Sequence, residues 1–123
     1  MKLEFVTVRT KDLEASIRFY ESLLGFTVVR RFSPRPGMEL AFLSDGSGGQ
    51  VEFIQSDEPV YEGRGISLGF RVADAEAWAE TLRGKGVTIT HGPVAMPNGV
   101  KLLGAKDPNG LDLGFVQEAQ VRT

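Results

Sequence analysis

Few side chains in this sequence are suited to chemistry, and their types already exclude much. With no cysteine there is no thiol nucleophile, no thiolate metal ligand and no disulfide. The single histidine, His91, precedes Gly92-Pro93 at the end of an expected strand. A lone histidine beside a turn reads as a surface residue and not as half of a metal or acid–base pair. What remains is a set of carboxylates, arginines and small polar residues on alternating apolar segments. Strand alternation puts Phe5, Thr7 and Arg9 on one face, and Ser67, Gly69 and Arg71 on the equivalent face of a second segment. Glu52 and Ile54 join the first group, and Asp112, Gly114 and Val116 the second.

Glu52 can be read in three ways. A solitary carboxylate on an apolar face suits a general acid or base, which makes it the candidate catalytic residue. It equally suits a binder of a ligand amine or hydroxyl. Its third reading is an ion pair with Arg9 or Arg71 that only stabilises the fold. The two arginines could grip a carboxylate- or phosphate-bearing ligand. They could also form strand-end salt bridges to Asp12, Asp74 or Glu52.

The elements that hold these residues occur twice. Asp12 and Asp74 each follow an alternating strand and open a helix, 62 residues apart. The same offset relates Gly37 to Gly99, Asp45 to Asp107, Gly48 to Gly110, Phe53 to Phe115 and Gln55 to Gln117. So many identities in one register mark an internal duplication. In the first copy Asp12 caps a helix whose apolar stripe is Leu13, Ile17, Tyr20 and Leu24, ending at Gly25. In the second, Asp74 caps a helix with Ala75, Trp78 and Leu82, a stripe that makes Trp78 a core residue. Strands are expected at 3–9, 26–33, 38–44 and 51–55, and again at 87–91, 99–105 and 111–117, separated by Gly-, Pro- and Asp-rich turns. Phe42, Phe53 and Phe115 are strand residues for which packing suffices, and Gln55 and Gln117 are expected to bond the neighbouring unit's backbone.

The expected fold is therefore α+β: one domain over 1–123 made of two βαβββ modules, about 1–57 and 65–118, with a linker at about 56–65. Side by side, such modules would form a curved mixed sheet, a cup or half-barrel with helices outside. A cup of this kind is a natural small-molecule site. Lys and Arg number 14 against 16 Asp and Glu, so the basic excess of a nucleic-acid binder is missing. No apolar run approaches the ~18 residues of a membrane span, and a cysteine-free chain suits a reducing cytoplasm. Cytoplasmic localisation, no nucleic acid and no membrane are the expectations.

Particular motifs resemble those of the vicinal oxygen chelate superfamily, which comprises glyoxalases, bleomycin-resistance proteins and dioxygenases. They are Asp12-Leu13, Ser16-Ile17-Arg18-Phe19-Tyr20 and Leu24-Gly25-Phe26 in the first half, and Asp107-Pro108-Asn109-Gly110 in the second. With the repeat, the resemblance covers essentially the whole chain. It implies four metal-ligand positions, two per half, normally His or Glu. Matched residue by residue, they fall on Phe5, Glu52, Ser67 and Gly114. Only Glu52 keeps a metal-binding side chain. Asp112, two residues before Gly114, is the one candidate for a relocated ligand.

The resemblance thus implies a metal-independent small-molecule-binding protein, with no cofactor and no metal, that could sequester a drug. Its candidate ligand-binding residues are Phe5, Thr7, Arg9, Glu52, Ile54, Ser67, Arg71, Asp112 and Gly114. A glyoxalase-like enzyme of the lyase, isomerase or dioxygenase class, using Glu52 as acid or base or within an atypical metal site, is the alternative. Lactoylglutathione lyase activity is not expected, because three of the four ligand positions are empty. The expected partners are a small organic ligand and a second copy of the chain, as a homodimer.

Overall fold

A computed structural model of the chain describes residues 1–61, 63 and 65–119. The chain divides into two compact units, residues 1–62 and 63–123. Residues 62 and 64 of the expected linker lie outside the described residues. The first unit runs β1 (Val6–Arg9), α1 (Leu13–Ser22), β2 (Thr27–Arg35), β3 (Met38–Ser44) and β4 (Gln50–Gln55). The second repeats this as β5 (Ser67–Arg71), α2 (Ala75–Gly84), β6 (Ile89–Ala95), β7 (Lys101–Lys106) and β8 (Asp112–Gln117). The α+β class and the two βαβββ units are as the sequence predicts. Among the described residues no helix is long and apolar enough to cross a membrane.

In the first unit the strand order is β1-β4-β3-β2, parallel between β1 and β4 and antiparallel elsewhere. Helix α1 covers one face of this sheet. Tyr20 on α1 is fully buried, and its ring meets Phe53 of β4 at 4.8 Å and Phe26 at 5.4 Å, both edge-on. Leu13, Ile17, Leu43 and Val51 complete this core. Outside it, the Arg31 guanidinium of β2 pairs with Glu14 on α1 and holds the Glu14 carboxyl below its ordinary value. The second sheet has the matching order β5-β8-β7-β6. Its helix-covered face is built on Phe115, which stacks on Phe70 and takes the half-buried Trp78 edge-on. Leu82, Leu103 and Leu113 are buried around it.

Each helix starts the same way. Asp12 accepts a hydrogen bond from the Ala15 N–H, and Asp74 accepts one from the Ala77 N–H, each at 3.0 Å. A helix leaves its first N–H groups without internal partners, and here a second one is met from the sheet. Gln55 at the end of β4 accepts from the Leu13 N–H at 2.7 Å, and Gln117 at the end of β8 from the Ala75 N–H at 2.8 Å. The expectation that these glutamines reach the neighbouring unit is therefore corrected: each ties its own unit's last strand to its own helix. The amide side chain reaches the helix because the last strand runs parallel to the first and so finishes at the end of the sheet where the helix begins. We predict that Gln117→Leu costs ~1–2 kcal/mol, since the Ala75 N–H loses its acceptor and an apolar side chain offers none. Urea unfolding measures it, and an unchanged midpoint would show the bond to be idle.

The repeated aspartate turns are a second shared device. Asp45 Oδ1 accepts from the N–H groups of Ser47 and Gly49, and Asp107 Oδ1 from those of Asn109 and Leu111. The Asp-Pro-Asn-Gly motif is thus a hairpin closure, its aspartate spent on the backbone.

Several strand ends differ from expectation. β1 starts at Val6, so Phe5 stands just before it. β2 runs through Pro34 to Arg35, and β6 runs through Gly92 and Pro93 to Ala95. Both prolines sit on edge strands, where a missing N–H breaks no inner ladder. His91 accordingly lies within a strand, not beside a turn. Irregularities in β2 and β6 shift the register against β3 and β7, so alternation alone misassigns faces there.

Candidate ligand-binding site

The face of the first sheet away from α1 carries the candidate residues of that half. Thr7 and Arg9 of β1 stand opposite Glu52 and Ile54 of β4. Across β3 the partners of Glu52 and Ile54 are Phe42 and Leu40, and across β2 those of Phe42 and Leu40 are Arg30 and Phe32. One row therefore crosses all four strands: Thr7, Glu52, Phe42, Arg30. Phe5 reaches the same face from before β1, its ring edge-on to Phe42 at 5.0 Å.

Glu52 is 8 % exposed, and the Thr7 hydroxyl donates to its Oε1 at 2.7 Å. Among the described residues it is in no ion pair. Apart from Thr7, it lies beside Phe42 in register and Ile54 two residues on. Buried polar oxygens are normally matched by hydrogen-bond donors, and among the described residues the Thr7 hydroxyl is the one that donates to Glu52.

Both arginines are engaged elsewhere. Arg9 pairs with Glu58 at 2.9 Å, and Arg71 with Glu118 at 2.9 Å. These acids follow the last strand of each unit, so the expected partners Asp12, Asp74 and Glu52 are corrected. The segment after β4 also returns along β1, where the Tyr61 N–H donates to the Arg9 carbonyl at 3.3 Å. Thr7, Arg9, Pro59, Val60 and Tyr61 line an open cavity of about 450 Å³ there.

The second unit carries its own set on the corresponding face. Ser67 stands opposite Asp112, Gly69 opposite Gly114, and Arg71 opposite Val116. Asp112 is held by the Lys106 ammonium at 2.8 Å, which spends the proposed relocated ligand on an ion pair. Gly104 stands opposite Gly114, and His91 opposite Gly104. A Cβ on Gly104 would come within 2.4 Å of the His91 ring, so that imidazole lies against the bare sheet.

The side chains at the four family ligand positions do not fit a metal. Phe5 offers a ring packed on Phe42, Ser67 a hydroxyl, Gly114 no side chain, and only Glu52 a carboxylate. Among the described residues no three His, Asp or Glu side chains gather as a cation site.

Two of the residues on the first face were not expected at a site. Phe42 is expected only to pack, and Arg30 is not among the expected ligand-binding residues. The signal was present in the hairpin: counting outward from the turn at 45–49 brings 42 opposite 52.

Paired βαβββ units, each with one helix-covered face and one face free of helix, define a duplicated two-module α+β fold. The chain belongs to the Glyoxalase/Bleomycin resistance protein/Dioxygenase superfamily, whose family model matches residues 2–115. It is 31% identical to the uncharacterised protein YwbC of Bacillus subtilis (strain 168), over 94% of this chain and 97% of that one. Among solved structures it is similar to TnmS3, an antibiotic-binding protein from a Streptomyces species, with a TM-score of 0.78, 23% identity and 97% of each chain covered. Glyoxalase I from Zea mays gives a TM-score of 0.81 at 23% identity, over 98% of this chain. The chain spans 46% of the length of that enzyme.

Proposed function

We propose that the protein binds a small organic molecule without a metal, and that the open face of its first unit around Glu52 is the recognition surface. The observation that carries this reading is Glu52 itself, a nearly buried carboxylate that accepts from one hydroxyl among the described residues and lies beside Phe42 and Ile54. A ligand ammonium or hydroxyl would supply the missing donor, while Phe5, Phe42 and Ile54 would cover its apolar body. Thr7 would hold the carboxylate in place for it. An antibiotic-binding protein of the same fold and similar length supports drug sequestration as one form of this function. Ser67, Arg71, Asp112 and Gly114 remain candidates on the second unit's face, and a cytoplasmic homodimer is part of the same proposal.

The test is a thermal-shift and calorimetric screen of aromatic amines and of amine-bearing antibiotics, with Glu52→Gln beside the parent. A hit should lose roughly 10- to 100-fold in affinity in the variant, the value of one charge-assisted hydrogen bond. Equal binding by both proteins would remove Glu52 from the site. The protein purified without chelator should contain no stoichiometric metal by elemental analysis. Ni²⁺, Zn²⁺ and Mn²⁺ should leave its melting temperature unchanged. A stabilising, stoichiometric ion would instead favour an enzyme with Glu52 in an atypical metal site.

A further inference from the structure

The two units align in register, and the duplication makes their open faces comparable position by position. In the first unit the row across the sheet is Thr7, Glu52, Phe42, Arg30. The equivalent row in the second is Gly69, Gly114, Gly104, His91. The first three places of that row are side chains in one copy and glycines in the other. The fold does not require side chains there, so those of the first unit need another explanation.

Arg30 provides it. Its guanidinium carbon lies 5.0 Å from the Phe32 ring centroid and 5.6 Å from that of Phe42. Stacking of this kind orients the planar cation and leaves its N–H edges free to form hydrogen bonds. Among the described residues Arg30 is in no ion pair, while its neighbour Arg31 is paired with Glu14 and Glu39. The row thus holds a positioned cation at β2 and a nearly buried anion at β4, with the Phe42 ring between them on β3. Two strand spacings, about 10 Å, separate their backbones.

Building on the proposed function, we infer that this row selects amphoteric ligands: a flat apolar body seated at Phe42, an acidic group on Arg30 and an amine or hydroxyl on Glu52. A molecule with only one polar end would leave either the guanidinium or the carboxylate without its partner.

Three probes test this by calorimetry: benzylamine, benzoate and para-(aminomethyl)benzoate. The two-ended probe should bind at least about tenfold more tightly than either one-ended probe. In Arg30→Gln its advantage over benzylamine should vanish, and in Glu52→Gln its advantage over benzoate should vanish. Arg30 is exposed, so its variant should fold, and circular dichroism verifies this. If benzylamine binds in a Glu52-dependent way but the added carboxylate gains nothing, or if the gain survives Arg30→Gln, the inference is overturned and the Glu52 reading stands. If no probe binds, or benzylamine binding is indifferent to Glu52→Gln, that reading falls and the inference falls with it.

Discussion

Phe53→Ala is expected to destabilise the protein by ~3–5 kcal/mol, the usual cost of emptying a large aromatic site in a core. Phe53 is fully buried, and its ring is one of two on which Tyr20 closes the space between α1 and the first sheet. The helix cannot collapse into the gap, because Gln55 and Asp12 fix its first turn to the sheet end. For a chain of this size the melting temperature should fall by on the order of 10–20 °C. Phe5→Ala is the control: Phe5 is 42% exposed, and its loss should cost under about 1 kcal/mol. Scanning calorimetry compares the two. Equal effects would mean that the helix-covered face is not where this unit's stability resides.

Gly92→Ala is expected to be nearly as damaging, for a backbone reason. Gly92 has φ of +76°, and a Cβ there would lie 2.3 Å from the Leu102 carbonyl oxygen on β7. The left-handed conformation costs a residue with a side chain about 1–2 kcal/mol. Separating the β6 and β7 backbones at their register shift adds a comparable amount, so the total is about 2–4 kcal/mol. Gly37 isolates the first contribution, since it has φ of +80° and open space around its Cβ direction. Gly37→Ala should therefore cost only about 1 kcal/mol. Urea midpoints for the two variants decide this, and a Gly92 variant no weaker than the Gly37 variant would refute the close contact.

Much of the architecture can be read from the chain because local chemistry and long-range repetition agree. The aspartate caps, the helix stripes and the 62-residue register all point to the same βαβββ order. The caps are in place, although α1 ends at Ser22, short of the expected Leu24 and Gly25, and Trp78 is only half-buried. The glutamines were seen as a matched pair but given the wrong partner. Periodicity shows that a strand ends in an amide and says nothing of what the amide reaches. Phe42 was legible from its regular hairpin with β4, but Arg30 was out of reach for a different reason. Period-two reasoning is trustworthy on the regular strands β1 and β4, whereas β2 slips in register against β3 between Val28 and Arg30. A one-residue slip transfers every later side chain to the other face, so the row at Arg30 emerges only from the observed pairing. The salt bridges of Arg9 and Arg71 were likewise out of reach, because their acids lie beyond the regular strands.

The contrast between the two rows has a consequence for how such proteins diverge. The side chains that hold each unit together, namely the capping aspartates, the tie-bar glutamines and Phe53 or Phe115, all serve the helix side of the sheet. Thr7, Glu52 and Phe42, each matched by a glycine in the second copy, lie on the other side and share none of these duties. A doubled gene can therefore revise its open faces independently, one copy gaining charge and aromatic surface while its sibling is pared to bare backbone, without reopening the folding problem. For directed evolution this marks Thr7, Phe42 and Glu52, with Gly69 and Gly114, as positions to randomise first. Gly92 is one to leave alone.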